Sequence, residues 1–255
     1  MILRRLAAAI RRQDWFTVFV ETMIVVLGVF LGLQVQQWAG ERAREATEAE
    51  YVARLHDEVV DLQATRGPVV DFRRRWYAGL ETLGGAVFGA EDRDLTIEEC
   101  SSIVFASVVT NPTDDLATLI ELQASGGLSL FQDARVLDAL RHFLLTRARV
   151  RDSREGIARS VRDVIERHPA LIRMTWRESP VVEALDETPD DFALPPFECD
   201  VAAMRMDKTF ESDVEWNRMV VSQHVDDNRL IDETLAQLHG ALDQVLGIVH
   251  GEKAP

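Results

Sequence analysis

Six histidines, two cysteines and several close-set acidic groups are the side chains of this sequence with most chemistry to offer, and their spacing limits what they can do. The histidines fall at 56, 142, 168, 224, 239 and 250. His56-Asp57-Glu58 and His224-x-Asp226-Asp227 put metal-capable groups close together along the chain. Helix neighbours one or two positions apart do not share a face, so both strings read as solvated polar faces and no metal ligands are assigned. There is no His-Glu-x-x-His pair, Cys-x-x-Cys unit, glycine-rich phosphate loop, nucleophile elbow or EF-hand loop. The acidic run Asp186-Glu187…Asp190-Asp191 reads as a solvated loop, with weak calcium binding as the alternative. Trp76, Trp176 and Trp216 suit core or interface anchoring better than a ligand cage. No catalytic residue and no cofactor is expected.

Cys100 and Cys199 are an even pair, which is a disulfide candidate wherever the compartment is oxidising. Two ordinary buried thiols are the alternative. The compartment therefore matters, and an apolar run near the N-terminus bears on it. Phe16 to Gln37 holds a single charge, Glu21, and is framed by Trp15 and Trp38. About 20 mostly apolar residues cross a bilayer, and Trp is enriched at both membrane interfaces. The run is longer than a signal-peptide core and ends in Gln34-Val35-Gln36-Gln37-Trp38, with no small-x-small cleavage site. It reads as an uncleaved anchor over residues 16–38, with Trp15 and Trp38 at the interfaces.

Arg4, Arg5, Arg11 and Arg12 precede the span, whereas Arg42 and Arg44 follow it among Glu41, Glu45, Glu48 and Glu50. The basic excess predicts a short cytoplasmic segment over 1–15 and a domain on the far side of a bacterial inner membrane. Leu3, Leu6 and Ile10 also suit a short helix lying on an anionic leaflet, a positive topology signal being the simpler reading. The chain carries a net charge of −15; residues 1–38 contribute +2, so −17 falls on residues 39–255. That balance repels nucleic acid and anionic headgroups. The partners it leaves are the bilayer and other membrane helices.

Glu21, Val25, Gly28, Gly32 and Val35 follow heptad spacing along one face of the span. Gly28-x-x-x-Gly32 lets two helices approach closely, and an acid within a membrane helix calls for an interface or a polar partner. The stripe predicts self-association or docking of a partner helix.

Beyond Trp38 the periodicity is helical. Val52, Leu55, Val59 and Leu62 predict a stalk helix over 39–66, stopped by Gly67-Pro68. A helical domain over 67–255 follows. Val69, Phe72, Trp76, Leu80, Leu83 and Val87 make its first stripe, and Thr96-x-x-Glu99 is a capping box opening a helix to about Val109. Asn111-Pro112 breaks the chain, Asp114 or Asp115 restarts a helix, and Ser125-Gly126-Gly127 ends it. Asp133 caps a long segment to about Arg167, with Leu137, Leu140, Leu144, Ile157, Val161 and Ile165 as its apolar positions. Residues 178–199 hold Pro180, Pro189, Pro195 and Pro196 and predict an irregular connection. A last helix runs from about Glu211 to His250, with Leu235, Leu238, Leu242, Val245 and Val249 in register. The fold class is all-α, a membrane helix followed by a bundle of long helices.

The string Glu21-x-x-x-Val25-Val26-x-Gly28-Val29-x-Leu31-Gly32-Leu33-Gln34-Val35-x-x-Trp38 resembles the N-terminal signature of a family of uncharacterised single-pass bacterial membrane proteins. Leu119-x-x-Leu122-x-x-Ser125-Gly126-x-Leu128-x-Leu130 is similar to a turn of the same family. Val20 before the acid, Gly32 in place of Ala and Gln36-Gln37 in place of an Asn pair depart from the pattern. The resemblance implies a membrane-anchored helical protein and no particular reaction. Three functions are compatible with these features: an interaction or scaffolding protein of the cell envelope, a ligand-sensing bundle acting through a partner, and an unrecognised hydrolase or metal-dependent enzyme.

Overall fold

The computed structural model describes residues 15–174 and 197–249, and the fold is all-α. The basic segment before Trp15, the side chain of Trp15, Trp176, the acidic run at 186–191 and His250 lie outside the described residues. In chain order the elements are α1 (Trp15–Thr82), α2 (Gly84–Val87), α3 (Ile97–Phe105), α4 (Ala117–Ser125), a 3₁₀ turn (Gly127–Leu130), α5 (Ala134–Ser160), α6 (Val164–Arg167), β1 (Ile172–Met174), β2 (Phe197–Cys199), α7 (Val201–Met206) and α8 (Lys208–Leu246).

Local sequence sets most of the helix ends. The Thr96 hydroxyl accepts from the Glu99 N–H while the Glu99 carboxylate accepts from the Thr96 N–H, a reciprocal capping box. Asp133, Asp163, Asp200 and Asp207 each accept from backbone N–H groups of the first turn that follows. Gly126 and Gly247 close α4 and α8 with φ of 71° and 68°, the left-handed conformation that glycine adopts without penalty.

Several boundaries differ from those the sequence predicts. Gly67-Pro68 does not stop the helix; α1 continues to Thr82. Pro68 stands on the exposed side, as does Ala64, whose carbonyl loses its intrahelical donor. Gly67 lacks the Cβ that would clash with the proline ring. The helix opened by Thr96 ends at Phe105, and α5 ends at Ser160, with Asp163 restarting a single turn as α6. Asp114 and Asp115 cap nothing: α4 begins at Ala117, and both aspartates pair with arginines. The last helix runs from Lys208 to Leu246, and Val245 and Val249 are exposed rather than in its buried stripe. The predicted irregular stretch contains β2, which pairs antiparallel with β1 in the register Ile172–Cys199, Arg173–Glu198 and Met174–Phe197.

The chain divides into two units, residues 1–51 and 52–255. In the first, the described residues form one helical stretch whose apolar side chains stand exposed over Phe19–Trp38. It is the one helical stretch among the described residues long and apolar enough to cross a membrane.

The second unit is a bundle framed by α1 from Val52 onward, α5 and α8. The pairs Arg135–Gln244, His142–Gln237 and Arg154–Asn228 run α5 antiparallel to α8. His56–Asp243, His239–Gln63 and Arg218–Glu81 do the same for α1 and α8. Buried positions recur at three-four spacing on each: Val52, Leu55, Val59, Leu62, Arg66, Val70, Arg73, Trp76 and Leu80 on α1, and Val136, Leu140, Phe143, Arg147, Val150, Arg154 and Ile157 on α5. A second apolar cluster joins Leu80, Leu83, Ile103, Phe197, Met204, Phe210 and Val214 at the far end of this unit. There Cys100 of α3 and Cys199 of β2 are disulfide-bonded, with Cα atoms 5.9 Å apart. Close approach of α1 and α3 depends on Gly79, where a Cβ would fall 2.0 Å from the Ser102 hydroxyl oxygen.

Candidate functional site

Three groups of side chains stand out, one in each kind of environment. On the N-terminal stretch of α1, Glu21, Val25, Gly28, Gly32 and Val35 are exposed along one face. A Cβ at Gly28 or Gly32 would meet nothing within 4 Å, so that face is open to a neighbour. Trp38 is exposed, and the Arg42 guanidinium lies 4.7 Å from its ring centroid, an i, i+4 cation–π pair.

The second group is a polar network inside the bundle. Asp114, only 2% exposed, accepts from Arg154 at 2.8 Å and from Arg151 at 3.0 Å, with Arg147 at 3.4 Å. Burial pushes the Asp114 carboxyl up, but the Arg151 hydrogen bond and the Arg154, Arg151 and Arg147 charges outweigh it and hold the group below the usual carboxylate range. Arg66 is buried in full. Its guanidinium donates to Asp232 at 2.8 Å, to the Thr113 carbonyl at 2.9 Å and to Asn228 Oδ1 at 3.2 Å. Arg154 donates to the same Asn228 oxygen at 3.2 Å, so α1, α5 and α8 converge on one amide. Arg73 donates to the Thr110 hydroxyl and the Phe105 carbonyl, and burial lowers it to about 10, still cationic at neutral pH.

His224 and Asp227, read in the sequence as a solvated face, are both buried; only Asp226 is exposed. His224 Nε2 lies 3.2 Å from the Thr110 carbonyl, and burial first, then the Arg73 charge, lowers its pKa to about 4. A buried arginine on an apolar stripe satisfies its donors with carbonyls and carboxylates. This network fixes the register of three helices.

The third group lies where α1 and α8 pack. His56 Nε2 is 3.1 Å from Asp243 Oδ1, and His239 Nε2 is 3.6 Å from the same oxygen. The two imidazole rings meet edge to face with centroids 5.2 Å apart. Gln63 Oε1 sits 2.9 Å from His239 Nδ1, and Asp57 Oδ1 is 3.4 Å from His56 Nδ1. His56 belongs to the string read as a solvated face, yet the structure turns it inward while Asp57 stays in water. Glu58 also turns to protein, accepting from the backbone and hydroxyl of Thr118. The local string gave no sign of this cluster, because Asp243 is 187 residues from His56. The legible half was His239-x-x-x-Asp243, an i, i+4 pair on one helix face.

Trp76 is buried in the core and stacks on Phe105 with ring centroids 4.8 Å apart, whereas Trp216 is partly exposed and donates to the Ser160 carbonyl. The grooves along α5 and α8, one lined by Arg135, His142, Gln237 and Gln244 and another by Ser153, Trp216 and Met219, open broadly to solvent. No family model, curated protein or solved structure matches the chain.

Proposed function

We propose that this protein is a membrane-anchored interaction or scaffolding subunit of the bacterial cell envelope, with residues 16–38 in the inner membrane, its N-terminus in the cytoplasm and its helical domain outside. The observation that carries this reading is the run of apolar side chains exposed over Phe19–Trp38, a surface far larger than a soluble protein leaves to water. A bilayer covers such a helix over its full length. The disulfide between Cys100 and Cys199 supports an oxidising compartment for the domain, and the arginines at 4, 5, 11 and 12 support a cytoplasmic N-terminus. The resemblance of residues 21–38 to single-pass bacterial membrane proteins agrees with it.

Association runs through the Glu21, Val25, Gly28, Gly32 and Val35 face, where the two glycines leave room for a second helix. Tagged full-length protein is extracted gently from its membranes, cross-linked, and its co-purifying proteins are identified by mass spectrometry. A stoichiometric partner or homo-oligomer is expected, and Gly28→Ile with Gly32→Ile should dissolve it without releasing the chain from the membrane. Release of the wild-type chain by alkaline carbonate, or cross-linking unchanged in the double variant, would count against the anchor and the stripe respectively.

A further inference from the structure

We propose that His56, His239 and Asp243 form a binding site for a divalent transition-metal ion of the zinc class. The site lies wholly within the helical domain and holds whether or not the membrane helix associates. One ligand atom from each residue lies within 4.8 Å of the others. Zinc–nitrogen and zinc–oxygen bonds of 2.0–2.1 Å in tetrahedral geometry put ligand atoms about 3.3 Å apart. The Asp243 oxygen already stands 3.1 Å from His56 Nε2 and 3.6 Å from His239 Nε2.

The hydrogen bonds around the rings point the same way. Gln63 Oε1 is an acceptor 2.9 Å from His239 Nδ1, a partner for an Nδ1 proton that leaves the Nε2 lone pair on the Asp243 side. His56 faces a carboxylate at each nitrogen, Asp57 Oδ1 at 3.4 Å from Nδ1 and Asp243 Oδ1 at 3.1 Å from Nε2, so a cation taking the place of the Nε2 proton leaves an Nδ1–H to donate to Asp57. Two imidazole nitrogens and a carboxylate oxygen then converge on one point, a set of donors that a single cation can take. A metal-ligating histidine whose second nitrogen donates to a carboxylate or carbonyl is the usual second layer of such sites. Gln63 and Asp57 fill that role.

Two imidazoles and one carboxylate suit zinc, cobalt, nickel or ferrous ions rather than magnesium or calcium, which take oxygen ligands. Three protein ligands leave at least one coordination position for water or an added donor. The side chains are 14%, 20% and 12% exposed, so an ion can enter from solvent. Bound there it ties α1 to α8, because His56 comes from one helix and His239 and Asp243 from the other.

Full-length protein carrying a tag free of histidine is purified in detergent, stripped with chelator and titrated with Co²⁺ and then Zn²⁺. One equivalent of Co²⁺ should bind, give a visible ligand-field absorption band, and be displaced by Zn²⁺. Saturating Zn²⁺ should raise the unfolding midpoint by roughly 5 °C or more. His239→Ala and Asp243→Asn should abolish both effects while leaving the helical circular dichroism unchanged. Gln63→Leu, which removes the partner of His239 Nδ1 but no metal ligand, should weaken binding about 10–100-fold. His142→Ala, at an exposed histidine paired with Gln237, should change nothing. Binding that survives His239→Ala and Asp243→Asn, or no stoichiometric binding by the wild-type chain, overturns the proposal.

Discussion

One helix, α1, carries two stretches that invert the usual rule of apolar inside and charged outside. Over Phe19–Trp38 its valines, leucines and phenylalanines are exposed, with Val25 at 64%. Over Arg66–Arg73 its arginines are buried, with Arg66 at 1%. Each stretch is stable only where its surroundings complete it. Among the described residues the apolar stretch stays exposed. The charged stretch is supplied from within, by Asp232, Asn228, Thr110 and the carbonyls of Thr113 and Phe105. The first is long and apolar enough to cross a membrane, and the second aligns the helices of the bundle.

The largest way to break that contrast is to unbalance the interior. Asp114→Ala removes the carboxylate shared by Arg151 and Arg154; half-exposed Arg151 keeps Asp115, but buried Arg154 loses its counter-charge. Breaking a buried ion pair from one side costs about 3–5 kcal/mol, read as a lower denaturant midpoint of the helical domain. Leu31→Ala, a comparable truncation in the other stretch, should leave that midpoint unchanged, because the Leu31 side chain is 61% exposed. Equal sensitivity of the domain to both substitutions would erase the distinction between the stretches.

The apolar stretch was readable residue by residue because hydropathy and length are local properties. The charged stretch was hidden for a physical reason. Arginine is rarely buried, so Arg66 and Arg73 look like the end of one stripe and a gap in the next. Yet Leu62, Arg66, Val70, Arg73, Trp76 and Leu80 keep unbroken three-four spacing, and Leu140, Phe143, Arg147, Val150, Arg154 and Ile157 do the same on α5. The spacing was in the sequence; what it could not show was the partners, which lie 32 to 166 residues away. The all-α class, the capping box at Thr96 and the left-handed Gly126 were legible because each rests on neighbours within a turn. The His56–His239–Asp243 cluster was half legible, since only α1–α8 packing brings His56 to the pair on α8.

Acid sharpens the contrast at the next level of energy. His224 is buried beside Arg73, Arg154 and Asp227, with a folded pKa of about 4 against an unfolded value near 6.5. Both states hold it neutral above that range. As pH falls below 6.5 the unfolded chain takes up a proton that the folded chain refuses, so stability declines until about pH 4. The full window is worth about 3 kcal/mol at roughly 1.4 kcal/mol per unit. His224→Gln should flatten the decline over that window, whatever it costs at neutral pH, as followed by denaturant midpoints between pH 7 and 4.

The smallest test concerns Glu58, also on α1 and a polar group aimed inward. The α4 helix has Leu116 at its N-cap, with no side-chain acceptor of its own. Glu58 replaces the missing cap from another helix: its two oxygens accept from the Thr118 N–H at 3.1 and 3.0 Å, and one also accepts from the Thr118 hydroxyl at 2.7 Å. A carboxylate there also meets the positive end of the helix dipole. Glu58→Ala should therefore cost about 1 kcal/mol, the usual worth of an N-cap, and should raise hydrogen exchange in the first turn of α4 before it affects α5 or α8. Glu58→Gln keeps one acceptor and should recover part of the loss. Exchange that rises evenly across the domain would mean that Glu58 acts through α1 packing instead of through the end of α4.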